Sequence, residues 1–165
     1  MRMPKIVIIN TSPIFYLHRI GYLHILEKLY GKIVVPYAVL TELEEGRRHG
    51  EDVPEIRIYD WIKIKNVKIP EFIKLIPDLG QGEAEVLALG CEESDSLIII
   101  DDAIARKISR IQKLKFTGTA GVLLRGKKEG YVKEIKSVIK RLKEVGFYLS
   151  DELIVEILRL SGEDS

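Results

Sequence analysis

Leu97-Ile98-Ile99-Ile100-Asp101-Asp102 decides how this chain is read. An apolar run without polar alternation describes a strand buried on both faces, the habit of parallel sheets covered by helices. Two carboxylates follow at once, and then a helical pattern begins. In open α/β sheets, ligands bind in the crevice outside the carboxyl ends of the strands. A charge set directly after buried apolar residues needs a partner, so Asp101 is the hardest acid in the chain to read as mere surface. Asp102 has a second reading, as the cap of the helix that follows.

The same grammar recurs on either side. Ile6 to Ile9 is a β-branched apolar run, closed by Asn10-Thr11-Ser12-Pro13, which supplies a helix cap with Pro13 in the first turn. Helical periodicity covers Ile14 to Leu17 and Leu23 to Leu29, broken near Gly21. Ile33-Val34-Val35 is a short strand ended by Pro36, and a helix runs from Tyr37 to about Arg48. Between 51 and 80, Ile56-Arg57-Ile58 and Ile62-Lys63-Ile64-Lys65 alternate as strands do. Pro70 and Pro77 delimit a short helix or loop. Gly80-Gln81-Gly82 is a break before a helix from about Glu83 to Glu92. A basic helix spans Asp102 to about Gln112, Phe116-Thr117 is a strand, and a helix opens at Thr119 and runs to Lys128. Further helices are expected over Tyr131 to Glu144 and, capped by Ser150, up to Leu160. Strands alternating with helices predict an α/β fold with a mostly parallel sheet, and residues 1–165 are expected to form one domain.

Composition excludes several classes. Hydrophobic residues make up 46% and charged residues 31%, a soluble globular balance. No apolar run is long enough to span a bilayer, and Met1 to Lys5 leads into a strand instead of a signal peptide. The single cysteine, Cys91, rules out an internal disulfide framework and fits a reducing cytoplasm; its helical, apolar setting predicts packing. Abundant Ile, Lys and Glu with only two Gln and two Asn is the bias of thermophiles. Net charge is +1, but residues 103–146 hold thirteen Lys or Arg against three Glu. That segment is basic and the remainder acidic, a division that sets a phosphate-tracking surface beside an acidic pocket.

The acids that matter sit at strand ends and helix starts. Glu42 lies within Val39-Leu40-Thr41-Glu42-Leu43, held near a buried boundary by its neighbours, and Glu83 opens the helix before the Leu97 strand. Taken singly, Glu83 reads equally as a helix amino-terminal charge and Glu42 as a surface residue. Carboxylates sharing a crevice repel one another unless a cation joins them, and hard oxygen ligands suit Mg²⁺ or Mn²⁺. Arg106 and Arg110, four apart on the basic helix, share a face and with Lys107 are candidates for phosphate contact. Tyr16 and Tyr37 are expected to pack, and His18, His24 and His49 have no metal-ligand spacing.

These segments resemble the PIN-domain family, the fold of toxin ribonucleases of the VapC type, and more closely a less characterised branch of PIN-like proteins in archaea and bacteria. The resemblance is carried by Ile8-Ile9-Asn10-Thr11-Ser12-Pro13, Val34-Val35-Pro36 with Thr41-Glu42-Leu43, Gly82-Glu83-Ala84-Glu85 and Ile99-Ile100-Asp101-Asp102. Thr117-Gly118-Thr119 through Leu124 and Gly146 to Leu153 extend it over nearly the whole chain. It implies a three-layer αβα fold and Mg²⁺- or Mn²⁺-dependent hydrolysis of RNA. It further implies pairing into homodimers and, for the toxin members, a protein antitoxin. By position the family's acids fall on Asn10, Glu42, Glu83 (or Glu85) and one of Asp101 and Asp102. Thr117 or Thr119 supplies a nearby hydroxyl, and Ser12 flanks Asn10.

Asn10 departs from the family, which has aspartate there. An amide oxygen still binds Mg²⁺ but brings no charge and accepts a proton poorly. Two functions therefore stand side by side: a metal-dependent nuclease cutting RNA or DNA, and a weakened relative that binds or regulates nucleic acid without cutting it. A small-molecule phosphohydrolase is disfavoured because Asn10-Thr11-Ser12 lacks the Asp-x-Asp nucleophile, and a dinucleotide-binding protein because no Gly-x-Gly-x-x-Gly follows Ile9.

Overall fold

Apolar β-branched runs leave their backbone groups only one another as partners, and here they assemble side by side. In the computed structural model, which describes residues 2–163, five parallel strands form one sheet in the order β3-β2-β1-β4-β5. They are β1 (Ile6–Ile9), β2 (Ile33–Pro36), β3 (Ile62–Lys65), β4 (Ser96–Ile99) and β5 (Lys115–Thr117). β1 and β4 run in register from Ile6 opposite Ser96 to Ile9 opposite Ile99. The chain builds outward from β1 to β3, then returns to β1's other side for β4 and β5. The order therefore reverses between β1 and β4, and a crevice opens there at the carboxyl ends.

Nine α-helices accompany the sheet among the described residues: α1 (Thr11–Arg19), α2 (Ile25–Tyr30), α3 (Tyr37–Arg48), α4 (Glu71–Lys74), α5 (Gln81–Glu92), α6 (Ala103–Ile111), α7 (Thr119–Lys128), α8 (Ile135–Glu144) and α9 (Asp151–Ser161). With the sheet they make a three-layer α/β/α fold. α5 packs on β1, β2 and β4 and against α3, α4 and α6, while α7 meets α1, α2, α8 and α9. The core is aliphatic: Ile8, Ile9, Ile98, Ile99 and Leu87 are all fully buried. No helix among the described residues is long and apolar enough to cross a membrane.

Four expectations are corrected. Ile56–Ile58 is a 3₁₀ turn instead of a strand, with Ile56 buried and Ile58 72% exposed. Alternation fitted both conformations, and only Ile62–Lys65 reaches an edge of the sheet to pair with β2. α8 begins at Ile135, not Tyr131, because Glu163 from beyond α9 receives the Ile135 and Lys136 amides at 2.6 and 3.1 Å. Its carboxylate also pairs with Lys127 at 2.9 Å. Cys91 is exposed, not packed, since α5 turns that position outward; burial of its immediate surroundings still raises the thiol pKa. Tyr37 is likewise exposed, whereas Tyr16 packs edge-on against Phe147.

Ile98→Ala should cost about 2–5 kcal/mol in urea unfolding, since it empties the centre of the sheet. Ile58→Ala should stay within about 0.5 kcal/mol, since its side chain stands in solvent. A comparable loss from both would show that the 56–58 segment packs as a strand.

Candidate functional site

Asn10 leaves β1 still bonded to the sheet, its amide donating to the Ile99 carbonyl at 3.0 Å. It occupies the N-cap position of α1, yet its side chain makes no capping bond. The side chain turns into the crevice instead. It is only 4% exposed, and its Oδ1 is buried without a hydrogen-bond partner. A buried acceptor left unpaired costs about 1–3 kcal/mol.

Glu42 reaches the same place from α3. Its Oε2 accepts from the Thr11 hydroxyl at 2.5 Å and its Oε1 from the Gly82 amide at 3.1 Å. One carboxylate thus joins the first turns of α1 and α5. Gly82 has no room for more: a Cβ there would lie 2.6 Å from Glu42 Oε1 and 3.1 Å from Asn10 Oδ1. Two oxygens from separate elements therefore converge on one point.

Glu83 is the next residue, in the first turn of α5. Its carboxylate folds over Gly80, where a Cβ would meet Oε2 at 2.9 Å. Burial raises its pKa above the ordinary carboxylate value, and the charges of Glu42 and Asp102 raise it further. Its own backbone amide and the Asn10 amide pull the other way without cancelling the shift. Asp102 caps α6, with Oδ2 accepting from the Ala105 amide at 2.9 Å. Asn10, Glu42 and Asp102 thus all act on Glu83.

Asp101 stands apart from them chemically. Its Oδ1 accepts from the Thr119 amide at 2.8 Å, and its Oδ2 from the hydroxyls of Thr119 at 2.7 Å and Ser12 at 2.9 Å. The partner that a buried-edge charge requires is this set of donors, and the bonds fasten α1 and α7 to the end of β4. Ser12 and Thr119 accordingly serve Asp101. Thr117 Oγ1 crowds Gly121, a position where a Cβ would collide with it. Glu85 points elsewhere: its oxygens receive the Ala38 amide and the Gln81 side chain, each at 3.0 Å, so it fastens the start of α3. Lys107 and Arg110 are exposed on α6. Arg106 and Arg110 both place their guanidinium carbons 5.1 Å from the Phe116 ring centre, which bears out their common face.

Thr11 and Gly82 were not singled out from the sequence. Thr11 showed only as part of the Asn10–Pro13 cap segment and Gly82 as part of the Gly80-Gln81-Gly82 break, which marks a close approach of side-chain oxygens, not only a helix start. Among the described residues, no three His, Cys, Asp or Glu side chains form a cluster that could by itself hold a metal ion. The crevice instead mixes carboxylates with the neutral oxygen of Asn10.

Comparisons with curated proteins and with solved structures found no match. A family model described as a PIN domain matches residues 6–163, from the first strand to beyond the last helix. With nearly its whole length matched, this chain belongs to the PIN-domain family.

Proposed function

We infer that the crevice between β1 and β4 binds Mg²⁺ or Mn²⁺ and hydrolyses phosphodiester bonds in RNA. The observation that carries this is the buried, unpartnered Asn10 Oδ1 set against Glu42 and Glu83. An orphaned acceptor beside a buried carboxylate whose pKa is raised lacks a positive charge. Hard oxygens of this kind suit a small divalent cation that keeps several waters. Asn10, Glu42 and Glu83 would hold it.

When bound, the ion supplies acidified water and neutralises charge on the phosphate. The chain's own residues do the rest. Sequence left the primary β4 acid open between Asp101 and Asp102; Asp102 suits the role better, because the α6 cap uses only its Oδ2. Its other oxygen would take the proton of the attacking water. Asp101, which accepts from Ser12 and Thr119, would hold the strand ends in position. Lys107 and Arg110 on the exposed side of α6 would track the phosphates.

A second function has its own support. Asn10 stands where the family has aspartate, and the described residues contain no three-acid cluster. That combination favours a chain that binds nucleic acid and cuts it slowly or not at all.

Cleavage of a labelled single-stranded RNA in Mn²⁺, with a chelator control, separates the two. Asp102→Asn should lower the rate by about 10²–10⁴. Asn10→Asp should tighten Mn²⁺ binding by about tenfold or more through the added charge. Retained RNA binding without any Mn²⁺-dependent cleavage, in wild type and in Asn10→Asp, would leave only the second function.

Glu83 makes stability depend on pH. Its folded pKa lies above its unfolded value, so the folded state holds the proton more tightly. The metal-free chain should lose stability as pH rises from the ordinary carboxylate range through that raised value. Glu83→Gln should remove the decline, and Mn²⁺ should offset it in the wild type. Urea midpoints measured from pH 4 to 8 test this, and an equal slope in Glu83→Gln would refute it.

Gly82→Ala should displace the Glu42 carboxylate. We expect a loss of about 1–3 kcal/mol in stability together with weakened Mn²⁺ binding. Unchanged Mn²⁺ affinity would show that Glu42 Oε1 takes no part.

A further inference from the structure

A cavity of about 310 Å³ opens beside Asp101. It lies at the small end of the range for ligand pockets. Asp101, Arg106 and Thr117 give it polar groups, and Leu124 and Phe147 contribute apolar wall. Tyr148 also lines it while remaining 84% exposed.

Two observations mark it as a place for a ligand instead of a packing gap. Arg106 Nε is buried and donates to nothing, although its guanidinium leans on the Phe116 ring. A buried N–H without an acceptor is costly, and an acceptor arriving from outside would relieve it. Asp101 does not fill that need: its bonds run to Ser12 and Thr119, and Arg106 Nε has no partner. Gly118 lets acid and guanidinium come close together at the cavity wall: a Cβ there would lie 2.7 Å from Asp101 Oδ1 and 3.8 Å from the Arg106 guanidinium carbon.

Chemistry then selects among the parts of a nucleic acid. A phosphate would bring negative charge toward the Asp101 carboxylate and against an apolar wall, which disfavours it. A base is flat, largely apolar and carries acceptors on its edge. Arginine presents parallel N–H groups, and guanine answers with adjacent O6 and N7. Adenine sets a donor beside its N7. Cytosine offers N3 and O2 but a single ring to cover the apolar wall.

We propose that this cavity receives a guanine base of the substrate strand. Its O6/N7 edge meets the Arg106 guanidinium, its rings lie against Leu124 and Phe147, and Tyr148 stacks from the solvent side. The proposal rests on the nucleic-acid function inferred above and adds to it a subsite that sets base preference. The phosphate contacts expected of Arg106 from sequence then fall to Lys107 and Arg110.

Guanosine, adenosine, cytidine, uridine and 7-deazaguanosine, each titrated calorimetrically into the full chain, test it without any cleavage step. Guanosine should bind about tenfold or more tightly than the other four. Arg106→Lys keeps the charge but loses the planar fork, and should abolish that preference while leaving the urea midpoint unchanged. Equal binding of all five, an unaltered preference in Arg106→Lys, or displacement of guanosine by inorganic phosphate would each overturn it. The two functional statements fail separately. A guanosine preference without Mn²⁺-dependent RNA cleavage sinks the nuclease alone, whereas cleavage without the preference sinks the guanine subsite alone.

Discussion

The Glu42 carboxylate is gripped by the Thr11 hydroxyl on one oxygen and the Gly82 amide on the other. Much of the site follows from that contact. It draws the first turns of α1 and α5 toward α3, around the carboxyl end of β1. It also presses a negative charge against Asn10 and Glu83 in a half-buried place. A carboxylate there cannot be relieved by bulk water as it would be on a surface, and no basic side chain pairs with it among the described residues. The arrangement holds because backbone and hydroxyl donors meet part of the demand. The rest is left as an orphaned oxygen on Asn10 and a proton affinity raised at Glu83.

The two adjacent aspartates show how neighbouring positions acquire different work. Both leave β4 at the same edge, and both accept helix amides. Asp101 meets three donors from two elements and becomes a fastening between α1, β4 and α7. Asp102 meets one amide, and its charge reaches Glu83. Chain order places them side by side, and the donors supplied by α1 and α7 separate their roles. Glycines take part in the same partition. Gly82 and Gly118 are small because a side-chain oxygen occupies the space where a Cβ would stand.

Charge is partitioned on a larger scale too. The acids gather at the β1–β4 crevice, while the excess of Lys and Arg falls in residues 103–146, which include α6, α7 and α8. Arg106 and Arg110 lean on Phe116 beside this crevice. Under the proposed function, an anionic polymer drawn to the basic surface would be led toward the acidic pocket, where a cation would favour close approach of a phosphate.

Much of the fold was legible in the sequence. Unbroken apolar runs such as Ile6 to Ile9, bounded by turn signals, read as buried strands, and β1, β2, β4, α3 and α5 lie within two residues of their expected bounds. Weak signals failed where two conformations fit one pattern. Ile56-Arg57-Ile58 alternates as a strand does, yet it never reaches a strand edge and closes into a 3₁₀ turn. The start of α8 depends on Glu163, about thirty positions downstream, which no local pattern could announce. For the candidate site, the sequence determined which oxygens stand at strand ends and helix starts. Tertiary structure alone decided which of them meet: that Glu85 turns away to Ala38, that Thr11 serves Glu42, and that Asn10 Oδ1 is left without a partner. Hydrogen-bond direction and burial are properties of packed neighbours, and those neighbours are chosen by folding, not by sequence distance.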